Sequence, residues 1–220
     1  MMREAFPIPA QYHAAAALEQ YLGDPADAAN VFSFAQAVEA DELELYPDAP
    51  SAALNARDFP RQHVPLEEGG RLRSYEELLA LLRVLARRDF TVAYAYGIQN
   101  TLGAAAVWTA GTPQQRQHLA RLICDGHLVA LAYNEKAHGS DFLATDLSAT
   151  KVPGGYLLSG EKWLINNATR ARALTLIART SQEVGPRACS LFLIDKAALD
   201  PATFSHLPKI KTLGIRGADF

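Results

Sequence analysis

An α+β fold is predicted, with helices first and strands second. Up to about residue 127 the apolar residues recur at helical spacing, as in Leu78, Leu81, Leu82 and Leu85. From residue 128 they fall in short alternating runs cut by turn residues. Strands that follow helices, rather than alternating with them, predict two segregated parts, 1–127 and 128–220.

Each element has its own signal. Asp24-Pro25 offers a cap and an N1 proline, so a helix is expected over residues 24–46, stopped by Pro47 and Pro50. Ser74-Tyr75-Glu76-Glu77 reads as a capping box ahead of the leucine stripe. A further helix is expected over residues 91–110, ending at Gly111. Thr112-Pro113-Gln114-Gln115 opens the next, which buries Leu119, Leu122 and Ile123 and stops at Gly126. Strands are expected over 128–133, 147–151, 156–159, 163–165, 173–178 and 190–194, with Pro153-Gly154-Gly155 as a hairpin turn. The small residues Gly103, Ala104, Ala105 and Ala106 allow either close packing or a groove for an acyl chain.

Composition narrows the function classes. With 220 residues, 49% hydrophobic and 20% charged, the chain can bury one substantial core or two small ones. A formal net charge of -3 gives no electrostatic reason for nucleic acid or an anionic membrane as partner. No apolar run is long enough to span a bilayer, and Met1-Met2-Arg3-Glu4-Ala5-Phe6-Pro7 lacks a signal-peptide core, so the cytoplasm is expected. Cys124 and Cys189 are too few and too far apart for a disulfide framework and read as small buried residues. The six histidines are scattered, and a strand separates His127 from His138, so no metal is expected. His63, His118 and His206 read as surface or packing residues.

The chemistry sits in two turns. The apolar run Leu131-Ala132-Tyr133 enters Asn134-Glu135-Lys136-Ala137-His138-Gly139-Ser140-Asp141. About two dozen residues later comes Gly160-Glu161-Lys162-Trp163-Leu164-Ile165-Asn166-Asn167. Strand ends that feed glycine-containing turns expose main-chain N–H groups, which suit anionic or carbonyl oxygens. Two such turns side by side can line one flat polar ligand.

Both turns resemble the middle domain of the acyl-CoA dehydrogenase family, whose pattern is Thr-Glu-Pro-x-Ala-Gly-Ser-Asp followed by Gly-x-Lys-x-aromatic-Ile-Thr-Asn. Glu135, Gly139, Ser140 and Asp141 match the first, and Gly160, Lys162, Ile165 and Asn167 the second. Val64-Pro65-Leu66-Glu67-Glu68-Gly69-Gly70 and Lys209-Ile210-Lys211-Thr212-Leu213-Gly214-Ile215-Arg216-Gly217 resemble two further family stretches. Asn134 stands where the family has Thr, Lys136 where it has Pro, Leu164 where it has an aromatic, and Asn166 where it has Thr or Ser.

The resemblance implies a barrel-like β-sheet middle domain, incomplete at its carboxy end, and an FAD enzyme that introduces an α,β double bond into an acyl thioester of coenzyme A or a carrier protein. It assigns the flavin to Leu131, Tyr133, Asn134, Gly139, Ser140, Leu164, Ile165 and Asn166, and the substrate to Ser140, Tyr96 and Gln99. The family's catalytic carboxylate lies in a carboxy-terminal helical bundle. Activity is therefore expected only with a partner region that supplies the base, Glu135 belonging to the turn. A homo-oligomer, or a hetero-oligomer with a chain that completes the fold, and an electron-transfer partner are implied as well. Two alternatives are a non-catalytic scaffold of the same fold, favoured by the changes at 134, 164 and 166, and a flavin monooxygenase-type relative.

Overall fold

The computed structural model describes residues 8–183 and 185–217. Six α-helices come first: α1 His13–Leu22, α2 Phe34–Glu42, α3 Asp48–Asn55, α4 Tyr75–Ala86, α5 Gln99–Ala110 and α6 Pro113–Cys124. A π-helical segment, Val92–Ile98, runs directly into α5. Five strands follow: β1 Val129–Ala132, β2 Ser148–Val152, β3 Gly155–Ser159, β4 Ala173–Arg179 and β5 Cys189–Asp195.

Four local expectations are corrected. The single helix over 24–46 is a series of side-chain-stabilised turns before α2. Asp24, Asp27 and Asn30 each accept the amide two residues on, which draws the backbone away from helix until Ser33 caps α2 by accepting from the Gln36 amide. Pro47 and Pro50 do not stop the preceding helix, which ends at Glu42; they stand at the N-cap and in the first turn of α3, where a proline's missing N–H is harmless. Helix α1 was not expected, because its alanine-rich stretch carries no capping residue. The strand over 163–165 is a turn, with Leu164 in the left-handed region at φ 56°.

The boundaries at α4 and α6 follow their caps. Ser74 accepts from the Glu77 amide, and at α6 the reciprocal box is complete between Thr112 and Gln115. The stripe Leu78, Leu81, Leu82 and Leu85 packs with Leu18 and Leu22 of α1, Leu54 of α3 and the buried ring of Tyr96. A second cluster joins helices to sheet, with Ala104, Val107, Leu119 and Ile123 against Val129 and Ala173.

Strand β4 is the centre of the mixed sheet. One of its edges pairs antiparallel with β5 over Ala173↔Asp195 to Arg179↔Cys189. The other takes β1 in parallel at one end and β2 at Ser148↔Arg179, and β3 returns on β2 through the Pro153-Gly154 turn. Helix α5 lies directly on β1: a Cβ at Gly103 would meet Val129 Cγ1 at 2.8 Å. Thr175 Oγ1 donates to the Gly103 carbonyl at 2.6 Å, and the Val129 amide donates to the buried Asn100 Oδ1 at 2.7 Å. Gly103 and Ala104 therefore serve close packing against the sheet, whereas Ala105 and Ala106 are half-buried.

The last described segment returns to the helical part. Lys209 Nζ donates to the Glu44 carbonyl at 2.9 Å, and Arg216 Nε donates to Asp41 Oδ2 at 2.8 Å. Cys124 and Cys189 are both free and half-buried, more exposed than expected of core residues.

Candidate functional site

The first turn leaves β1 and is closed on itself, the Glu135 amide donating to the His138 carbonyl at 2.8 Å. The side chain of Glu135 points inward and accepts four hydrogen bonds: from Lys162 Nζ at 2.8 Å, from the Thr145 hydroxyl, and from the amides of Asp146 at 2.7 Å and Leu147 at 3.1 Å. Burial opposes its ionisation, yet these donors outweigh that and pull Glu135 down to about 2. Burial lowers the Lys162 ammonium as well, against the pull of the facing carboxylate. Glu135 is thus a fixed internal anion that orders residues 135–147.

Lys162 belongs to the second turn, so the same pair fastens the two turns together. Lys162 Nζ also reaches the Tyr133 carbonyl at 3.2 Å and Thr145 Oγ1 at 2.8 Å. The Trp163 amide donates to the Asn134 carbonyl at 2.8 Å. Lys136, standing where the family pattern has Pro, lies 4.5 Å from the Trp163 ring centre and 3.4 Å from Glu161. A departure from the pattern therefore adds a further link between the turns.

The second turn is in turn stitched to the helical part. Asn166 Nδ2 donates to the Tyr94 hydroxyl at 3.0 Å, and Asn167 Nδ2 donates to the carbonyl of Ala95 in the π-helical segment. Leu164 and Asn167 both have positive φ, 56° and 59°, a backbone cost that the surrounding bonds must hold in place. Leu164 is left 46% exposed while Ile165 is buried in the sheet core. Asn166 Oδ1 is buried without a hydrogen-bond partner.

The nominated residues divide into three groups. Tyr133, Asn134, Leu164, Ile165 and Asn166 come together across the two fastened turns. Leu131 is half-buried in β1, in register with Thr175. Gly139 and Ser140 are exposed, and no heavy atom lies within 4 Å of where a Gly139 Cβ would stand. Beside Ser140 is an open hollow of about 610 Å³, walled by Phe142, Leu143 and Arg179. Phe142 stacks on Tyr133 with ring centres 5.6 Å apart.

Tyr96 does not fit the substrate role assigned to it. Its ring is 1% exposed in the helical core, tilted against Phe59, and its hydroxyl donates to Asn55 Oδ1 at 2.5 Å. The side chain of Gln99 lies outside the described residues. Sequence reasoning missed Tyr94, whose signal was its place in the same helix, two residues before Tyr96. It also missed His138, which stands where the family pattern has Ala.

Residues 28–127 match the family "Acyl-CoA dehydrogenase, N-terminal domain", and residues 130–220 match "Acyl-CoA dehydrogenase, middle domain". The chain belongs to the acyl-CoA dehydrogenase family. The mitochondrial 2-methylacyl-CoA dehydrogenase of Solanum tuberosum is 34% identical over 156 residues, 70% of this chain and 37% of that protein. The chain thus spans little more than a third of that curated relative's length. The structure of butyryl-CoA dehydrogenase from Megasphaera elsdenii has a TM-score of 0.81 at 22% identity, over 98% of this chain and 55% of that one. That of an acyl-CoA dehydrogenase complexed with FAD from Bacillus anthracis gives 0.75 at 22% identity, over 100% of this chain and 36% of that one. Both share the fold.

The groups around the turns are chemically consistent with a polar planar ligand. They combine open main chain at Gly139, an exposed apolar side chain at Leu164 and an unpaired amide oxygen at Asn166. No described helix is long and apolar enough to cross a membrane.

Proposed function

We propose that the protein is an FAD-dependent oxidoreductase, or the amino-terminal part of one, that introduces an α,β double bond into an acyl thioester. The observation that carries this reading is the fastening of two motif-bearing turns into one unit by Lys162, Glu135 and the Trp163 amide. FAD, when bound, supplies the hydride acceptor for the acyl β-carbon. Gly139 and Ser140 would hold its pyrophosphate through main-chain N–H groups, where the open side of Gly139 leaves room for close approach. Tyr133 and Asn134 would lie along the polar edge of the ring, with Leu131 behind them. Leu164 and Asn166 would border it on the other side, backed by the buried Ile165.

Ser140 also faces the open hollow, which suits the thioester arm of coenzyme A or a carrier protein. Glu135 is fully taken up by its donors and is not available to remove the α-proton, so we assign the base to a region outside these 220 residues. We retain residues 1–127 and 128–220 as the two domains, a division supported by the change from helices to strands between α6 and β1. The exposed Tyr156, Leu157 and Leu191 on β3 and β5 support an oligomeric assembly, and an electron-transfer partner follows from the need to reoxidise the cofactor. On the sequence grounds above we propose the cytoplasm as its compartment.

Titration with FAD, followed by flavin absorbance and fluorescence, tests the reading. Binding is expected, and Gly139→Ala is expected to weaken it with unchanged thermal stability, because a Cβ there meets no protein atom within 4 Å, with Gly139→Val weakening it further, at least about ten-fold. Absence of any flavin spectral change, with or without a carboxy-terminal partner chain, would refute it.

A further inference from the structure

We propose that His138, as an imidazolium bridging Asp141 and Asp146, is a positioning residue that holds the Gly139–Ser140 segment in its ligand-gripping form. The inference rests on the flavin reading above and adds a residue that the family pattern does not contain. His138 Nδ1 lies 3.0 Å from Asp141 Oδ2, and Nε2 lies 3.4 Å from Asp146 Oδ2. The ring thereby spans the segment that carries Gly139 and Ser140 and ties its two ends together.

Protonation decides whether both contacts are attractive. An imidazolium has two N–H donors, one for each carboxylate, whereas a neutral ring has one donor and turns a lone pair on the other carboxylate. The groups facing the ring are Asp141, Asp146 and, from the start of the turn, Glu135, whose charge is shared with Lys162. The hydrogen bond with Asp141 raises the His138 imidazole above its ordinary value, and the same bond lowers the Asp141 carboxyl. The far end of the segment is already fixed, because the Asp146 amide donates to Glu135 Oε2 at 2.7 Å. His138 thus links an exposed end, bearing the main chain of Gly139 and Ser140, to an anchored one.

The sign of the pH effect follows. The clasp is complete while the ring is charged and is lost as pH rises through its folded value, so FAD affinity falls on the alkaline side. FAD affinity is to be measured from pH 5.5 to 8.5 for the wild type, His138→Ala and His138→Gln. The wild type is expected to lose about five-fold in affinity across the range, the scale of a partly exposed ion pair. Both variants are expected to show a flat profile, with His138→Gln closer to the wild type at low pH. A wild-type profile that is flat, or that persists in His138→Gln, overturns the proposal. Hydrogen-exchange protection of the Gly139 and Ser140 amides, compared with the titration of the His138 ring by NMR, reads the clasp without flavin. If FAD binds to none of the proteins, the flavin reading fails. Protection that does not follow ring protonation overturns the clasp by itself.

Discussion

Lys162 and Glu135 show how much one side-chain pair contributes here. Their side chains are 8% and 6% exposed, and the pair joins segments 27 residues apart. Removing one partner strands the other charge inside the protein, so Lys162→Met is expected to cost about 3–5 kcal/mol, read as a shift in the urea midpoint. A cost below about 1 kcal/mol would show that Glu135 finds its compensation elsewhere. The pH dependence has a definite sign. Glu135 sits at about 2 in the fold against 4.5 ordinarily. It therefore contributes fully above about pH 5, and on the order of 3 kcal/mol is lost as pH falls towards 2. Acid unfolding followed by tryptophan fluorescence should begin at lower pH in the wild type than in Glu135→Gln, whose stability lacks this component, and the wild type should lose stability more steeply between about pH 5 and 2. The motif marked both residues, and it read Glu135 correctly as part of the turn. Nothing in the local sequence could pair it with Lys162, because the contact exists only once both turns are folded.

Helix α5 carries the argument at the scale of elements. Its register against β1 leaves no volume for a side chain at Gly103, where a Cβ would also stand 3.0 Å from the Val129 main chain. Gly103→Ala should gain up to about 1 kcal/mol in helix propensity and lose about 1–3 kcal/mol to overpacking. A lower Tm is the expected net result, and a raised Tm would mean that α5 and β1 can separate without loss. The helices with strong caps, α4 and α6, were legible because their start signals are local. The stretch over 24–46 was not, because asparagine and aspartate side chains captured the backbone amides that a helix needed. The 163–165 segment misled in the same way: its apolar residues suit a strand, but the links to Asn134, Tyr94 and Ala95 impose a turn.

For the whole molecule, the segment ending at Gly217 clamps sheet to helices through Asp41 and Arg216. Asp41 and Arg216 are each about one-third exposed, so the pair adds little to global stability. Its loss should appear locally: Asp41→Asn is expected to change the urea midpoint little and to speed proteolysis within residues 205–217 several-fold. Equal cleavage rates in both proteins would show that Lys209 and the Glu44 carbonyl suffice.

The sequence by itself determined the helix-then-sheet order, most strand positions, the family and the two turns, because hydrophobic period, caps and motif spacing are properties of short segments. Only the tertiary structure decided that the turns form one unit, that Gly103 and Ala104 of α5 pack closely, that Tyr96 belongs to the core while Tyr94 meets Asn166, and that His138 bridges two carboxylates. Each of these depends on distances between residues remote in the chain, which no local pattern encodes.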